Sequence, residues 1–183
     1  MSTSPQPAGL TAPVPVSDPA AFPSRPVIAA DLGAIETLHD AAFGPGALTR
    51  SAYRVREGQP PFTPYCRVLF KGDVLVAAIR FTAIRIGTDG QALMLGPLAV
   101  ASAFANQGHG RRLIVEGLDA AQTAGIEIVI LVGDPPYYAR YGFNRVPPGQ
   151  IVMPGPVDPA RLLAAELVAD AAARYQGRVA GAA

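Results

Sequence analysis

The chain has a single cysteine, Cys66, among 183 residues, so no disulfide can form within it. Without a cysteine framework the default compartment is reducing, and a cytoplasmic location is the expectation. Two histidines and one cysteine are too few for a conventional zinc site, so no metal is expected. Net charge is only +1, which gives little electrostatic footing for a nucleic-acid partner. No apolar run reaches the length of a membrane helix. Residues 1–25 are rich in Pro, Ala and Ser, but they lack a basic start and a continuous apolar core. They are therefore not a secretory signal and read as a disordered tail. Hydrophobic residues make up 50% of the chain, enough for one α/β core, expected over residues 26–183.

Two further absences concern the glycine turn at Gly108-His109-Gly110. A Walker A loop needs a Lys-Ser or Lys-Thr pair after its last glycine, where Arg111 and Arg112 stand. A dinucleotide fingerprint needs a third glycine where Leu113 stands. What remains is a helix that opens on glycines. Its first backbone N–H groups lack helical acceptors, and its dipole adds positive potential, so the turn suits a phosphate or pyrophosphate. Residues 110–124 read as that helix, with Leu113, Ile114, Leu118 and Ala121 on one face and Gly125 as its stop.

The flanking segments raise the value of this turn. Residues 91–100 are strand-like but broken by Gly96-Pro97, and proline inside a strand belongs at an edge or a bulge. A bulge there is expected to leave backbone groups of Leu98, Ala99 and Val100 unpaired, open to an extended, amide-bearing ligand. Residues 126–132 read as a buried strand. Asp134 and Pro135 open a short helix, with Asp134 as N-cap, that continues through Tyr137, Tyr138 and Tyr141 to Gly142-Phe143. A strand, helix, strand, helix series favours adjacent parallel strands with a covering helix.

Elsewhere, residues 26–29 can form a first strand, and Asp31 can cap a helix running to Phe43, with Leu32, Ile35 and Leu38 on one face. Glu36 and Asp40 fall on its solvated face, and His39 is read as a surface or half-buried residue. Gly44-Pro45-Gly46 ends this helix. A second helix is expected at 48–57, then a loop at 59–64. Residues 66–70 and 74–86 read as strands joined by a hairpin turn at 71–73, and residues 87–90 form the next hairpin. The C-terminal third is ambiguous: Asp158-Pro159 is a helix-start signal, and residues 160–174 have helix-forming composition.

Taken together, residues 95–143 resemble the acyl-CoA-binding core of the GNAT superfamily, the acyl-CoA-dependent N-acyltransferases. The family's pyrophosphate motif falls on Ala105-Asn106-Gln107-Gly108-His109-Gly110, and its later Tyr-x-x-x-Gly-Phe motif on Tyr138 to Phe143. Ala105 stands where the family has Gln or Arg, a position that contributes mainly its backbone N–H. The resemblance implies an α/β (α+β) fold with a mixed, mostly antiparallel central sheet, a bulged and splayed central strand, and helices on both faces. Such a sheet needs a last strand near the C-terminus, for which residues 162–168 are the candidate.

The resemblance also implies acetyl-CoA as cosubstrate, held by Leu98, Ala99, Val100, Ala105, Asn106, Gln107, Gly108, His109, Gly110 and Arg111. Backbone N–H groups around Leu98 and Ala99 would polarise the thioester carbonyl. Tyr138 would be the general acid near the thiol, while Tyr137 and Tyr141 pack or line the pocket. The implied reaction is acetyl transfer to a primary amine, on a small molecule or a protein, by direct attack in a ternary complex. The first two helices and their loop would shape the acceptor pocket, and dimers are common in the family, so a homodimer is possible. No carboxylate lies within residues 91–100 to serve as the base found there in some members. This absence keeps open a non-catalytic acyl-CoA-binding or sensing module on the same fold. An unrelated phosphate-binding α/β domain is the third reading.

Overall fold

The computed structural model describes residues 21–44 and 51–182. The strands are β1 (Ser24–Pro26), β2 (Arg67–Lys71), β3 (Val74–Ile86), β4 (Asp89–Val100), β5 (Ile128–Val132), β6 (Asn144–Arg145), β7 (Ile151–Val152), β8 (Leu162–Glu166) and β9 (Gly177–Gly181). The helices are α1 (Leu32–Phe43), α2 (Ser51–Arg56), α3 (His109–Thr123), α4 (Pro135–Tyr138) and α5 (Ala171–Arg174). The main path of the sheet runs β1-β2-β3-β4-β5-β8-β6, with β9 joining β3 and β7. Only β4–β5 and β7–β9 pair in parallel; the other described pairs are antiparallel. No helix among the described residues is long and apolar enough to cross a membrane.

Two apolar clusters make up the core, and the first takes residues from both sides of β3, Val76 and Ala78 as well as Ala77 and Ile79. The first sets Leu113, Ile114 and Ala121 of α3 against Phe81, Leu93 and Leu95, and extends to Leu38 of α1. The second joins Ile84, Met94, Ile128 and Ile130 to Val55 of α2, Tyr175 and Val179. Around residues 81–86 and 92–95 strand alternation separates the two: Phe81 and Leu93 meet α3, and Ile84 and Met94 meet the other layer.

Several expected boundaries move, each for a local reason. The first strand is β1, not residues 26–29, because Asp31 takes the N–H of Ile28 at 2.9 Å and turns residues 29–31 into a 3₁₀ helix. The hairpin expected at 87–90 is tighter, since β4 already starts at Asp89, which pairs with Ile86. Beyond Phe143 the chain forms two short strands, β6 and β7, on either side of Pro147 and Pro148, which have no N–H to give a ladder. Residues 162–166 are strand: β8 lies between β5 and β6, and this pairing overrides the helical composition. The 1–20 part of the expected tail, residues 45 and 46 of the break, and residues 48–50 of the second helix lie outside the described residues.

An ion pair fastens the chain's entry into the sheet. Arg25 donates to both carboxylate oxygens of the buried Asp31, each at 2.7 Å. The Arg25 guanidinium holds the Asp31 carboxyl below its ordinary value of 3.8, and the Ile28 N–H adds to this against a desolvation cost. A depressed folded-state value contributes stability above the unfolded value that is lost as pH falls through the folded one. Wild-type stability should therefore drop as pH falls below about 5, and Asp31→Asn should flatten that drop. Urea midpoints at pH 7 and pH 3 would check this, and an unchanged pH slope in Asp31→Asn would disprove it.

Candidate functional site

The site begins where two strands part. The described β4–β5 pairing covers Ala92, Leu93 and Met94 against Ile128, Val129 and Ile130. Beyond it β5 stays with β8 as far as Val132, while β4 stays with β3. On the β3 side, Arg80 alone lies opposite both Gly96 and Pro97, between the pairs Ile79–Leu98 and Phe81–Leu95. The extra residue reverses side-chain parity, so Leu98 and Val100 face α3 although Met94 faces away.

The expectation for Leu98, Ala99 and Val100 needs correction. All three remain in register with β3, opposite Ile79, Ala78 and Ala77. Ala101 donates its N–H to Val76 at 2.8 Å, toward β3. Main-chain groups alternate along a strand, so those of Ala99 also turn toward β3 and those of Leu98 and Val100 turn toward the gap. Two of the three residues thus offer backbone to the gap; Ala99 does not.

The glycine turn closes one side of this gap. Asn106 and Gly108 both have left-handed backbones, with φ of 61° and 84°, and Gly108 is the N-cap of α3. The first rung of the helix runs from the N–H of Arg112 to the Gly108 carbonyl at 3.0 Å. The N–H groups of residues 108–111 stand ahead of that rung, at the positive end of a helix of 15 residues. Asn106, Gln107 and Arg111 are exposed beside them. Gly110 is where the parts meet. A Cβ there would lie 3.4 Å from Leu98 Cδ2, 3.5 Å from Val100 Cγ2 and 3.4 Å from the hydroxyl of Tyr137.

Two other turn residues differ from expectation. Ala105 donates its N–H to the Ser102 carbonyl at 3.2 Å, because residues 102–104 form a 3₁₀ helix that ends on it. That N–H is thus engaged within the turn. The His109 ring is neither exposed nor beside the open turn: it is buried at 1% exposure and packs on Phe22, with ring centroids 4.5 Å apart. Burial and Arg112 lower its pKa. Arg112 also faces inward, tying β1 to α3 through the Phe22 carbonyl, Ser24 and Glu116.

Tyrosines cover the other side. Asp134 caps α4 through its backbone rather than its side chain: its carbonyl accepts from Tyr137 and Tyr138, and the carboxylate makes no capping bond. Tyr138 is half-buried, and a Cβ at Gly133 would overlap its ring. Its ring centroid lies 5.8 Å from that of Phe143 and 4.8 Å from that of Tyr137. Burial, then Tyr137 and Tyr141, push its hydroxyl up to about 12. Tyr141 is pushed up to about 12 by burial and by Tyr137, with which it also hydrogen-bonds. The doublet Tyr137-Tyr138 was legible in the sequence. The contact that brings the first of its hydroxyls beside Gly110 was not, since nothing local specifies it. Among the described residues no group of three or more His, Cys, Asp and Glu side chains is placed to hold a metal ion.

An open strand edge, a helix N-terminus and a tyrosine cluster thus meet around one gap. The chain is 36% identical over 71 residues to the uncharacterized N-acetyltransferase YhbS of Escherichia coli K12, an alignment covering 38% of this chain and 42% of that protein. The crystal structure of Escherichia coli YhbS in complex with CoA superposes with a TM-score of 0.76 at 27% identity, over 90% of this chain and 92% of that one. A GNAT family acetyltransferase from Brucella melitensis in complex with acetyl-CoA gives a TM-score of 0.67 at 25% identity, over 88% and 96% of the two chains. The model of the acetyltransferase (GNAT) family matches residues 33–143, which is more than half of the chain, and the chain belongs to that family of acyltransferase enzymes.

Proposed function

We propose that the protein transfers an acetyl group from acetyl-CoA to a primary amine by direct attack in a ternary complex. The observation that carries this reading is the convergence at Gly110 of the α3 N-terminus, the open edge of β4 and the Tyr137 hydroxyl. The complexes of similar proteins with CoA and acetyl-CoA support the choice of cosubstrate. In this reading, the N–H groups of residues 106–111 bind the pyrophosphate. The pantetheine arm lies along β4 and pairs with the main-chain groups of Leu98 and Val100 as an added strand would. The amine nitrogen attacks the thioester carbonyl carbon, and the oxyanion forms beside the backbone N–H groups past the bulge. The attacking nitrogen loses its surplus proton to water, and collapse then re-forms the carbonyl and breaks the C–S bond, releasing CoA as a thiolate. Tyr138 is protonated at neutral pH and donates a hydrogen bond to that thiolate.

Calorimetric titration with acetyl-CoA and with CoA tests this directly. Gly108→Val is the matched variant, because its φ of 84° strains a β-branched residue and the new side chain would enter open space at the turn. Micromolar-range binding by the wild type, weakened ~10-fold or more in Gly108→Val, is the expected result. Equal binding by the two would remove the pyrophosphate from this turn.

A further inference from the structure

The bulge has a second face. Arg80 and Thr82 share the even-numbered face of β3, the side that carries Ile84 and Val55 of α2 rather than α3. Arg56 of α2 reaches the same place: a Cβ on Gly96 would lie 3.4 Å from its Nη2. Arg80 lies opposite Gly96 and Pro97 and is held by donating to the Pro60 carbonyl at 2.9 Å. His39 on α1 lies within electrostatic reach of Arg56 and Arg80, and its ring packs on Phe43 with centroids 5.9 Å apart. Two buried polar atoms of this cluster, His39 Nε2 and Thr82 Oγ1, have no hydrogen-bond partner among the described residues, and Thr82 is only 1% exposed. Apolar sheet faces rarely hold such groups unless something else satisfies them.

We infer that His39, Arg56, Arg80 and Thr82 form the acceptor subsite, and that it selects an amine that also carries an anionic group such as a carboxylate. This rests on the acetyl-transfer reading, because Arg56 and Arg80 lie at the same bulge, on the side opposite α3. Two half-buried guanidinium groups at one bulge favour a fixed anion and disfavour a polycationic amine. The Thr82 hydroxyl supplies a further hydrogen bond to that ligand. The His39 imidazole takes the proton that the attacking ammonium must lose, and passes it to water.

The surroundings of His39 suit that step. Burial, then Arg56 from α2 and Arg80 from β3, lower its pKa, while Asp40 on α1 opposes them. The imidazole is thus neutral at pH 7 and keeps a lone pair for a proton. No charge on the bulged strand is needed, which accounts for a β4 whose residues 91–100 contain no carboxylate.

The test compares amino acids with their own carboxamides, and with spermidine, as acceptors for the full chain, on protein shown by calorimetry to bind acetyl-CoA. The expected result is a kcat/KM at least ~10-fold higher for the acids, with that margin lost in Arg56→Ala and Arg80→Ala and partly restored by Lys at either position. In His39→Asn, kcat should fall and the acid limb of the wild-type pH profile should disappear. Amides or spermidine used as well as the acids would overturn the proposal, as would no turnover of any acid by protein that binds acetyl-CoA. An unchanged pH profile in His39→Asn would remove the imidazole from the proton path. Failure to bind acetyl-CoA would instead overturn the acetyl-transfer reading itself.

Discussion

Tyr138→Phe should lower kcat by about 100-fold while leaving acetyl-CoA affinity within about twofold. The substitution removes one hydroxyl and keeps the ring, and it is the ring that packs against Gly133 and Phe143. Fold and cosubstrate site should therefore persist. The size of the effect follows from the hydroxyl's pKa, pushed up to about 12. Full transfer from such a group to a thiolate, whose reference value is near ~8.5, is uphill. The hydroxyl acts chiefly as a strong hydrogen-bond donor, which puts the loss at the low end of the ~10²–10⁴-fold range for positioned acids. Because the group stays protonated through neutral pH, the wild-type pH–rate profile should show no limb from it below about pH 10. Tyr137→Phe is the control, since the Tyr137 hydroxyl is the one beside Gly110. If Tyr137→Phe were the more damaging of the two, the donor would be Tyr137 and the assignment to Tyr138 would be wrong.

The largest expected effect on stability is at Gly117, on the buried face of α3. A Cβ there would overlap the Phe81 ring and lie 3.2 Å from the Tyr65 carbonyl oxygen. Phe81 is fully buried in the centre of the first cluster, so its ring has no room to swing away. Helix propensity favours replacing glycine by alanine by about 1 kcal/mol and by valine less, but overpacking a tight core costs ~1–3 kcal/mol and sometimes more. Gly117→Val should thus lose about 2 kcal/mol or more, a fall in Tm of roughly 4–8 °C for a chain of this size. Gly117→Ala should lose less. Chemical denaturation of both variants measures this. A stabilised Gly117→Ala would show that propensity wins and that α3 can move off β3. Any such movement would also shift Gly110, so acetyl-CoA binding by Gly117→Val should weaken along with stability.

How much of the site could be read in advance depended on whether a residue's role is local. Helix α3 announced itself through Leu113, Ile114, Leu118 and Ala121, and the turn before it through Gly108 and Gly110, because helical period and left-handed backbone are properties of neighbours in the chain. The bulge at Gly96-Pro97 was visible for the same reason. What the bulge does was not: which of Leu98, Ala99 and Val100 turns its backbone to the gap depends on the register with β3. The burial of the His109 ring was not legible, because its partners, Phe22 and Phe104, come from other segments.

Short-range pattern was enough to determine the helix at the glycine turn, the broken strand before it and the hairpins, since each depends on φ restrictions and hydrophobic period within about ten residues. Tertiary structure alone decided that residues 162–166 are strand rather than helix, because the partners that stabilise them are β5 and β6. It alone brought Tyr137 over Gly110, and His39, Arg56 and Arg80 to one bulge from α1, α2 and β3. A sequence records which residues can take part in a site. Only sheet register and helix packing set the distances at which they act together.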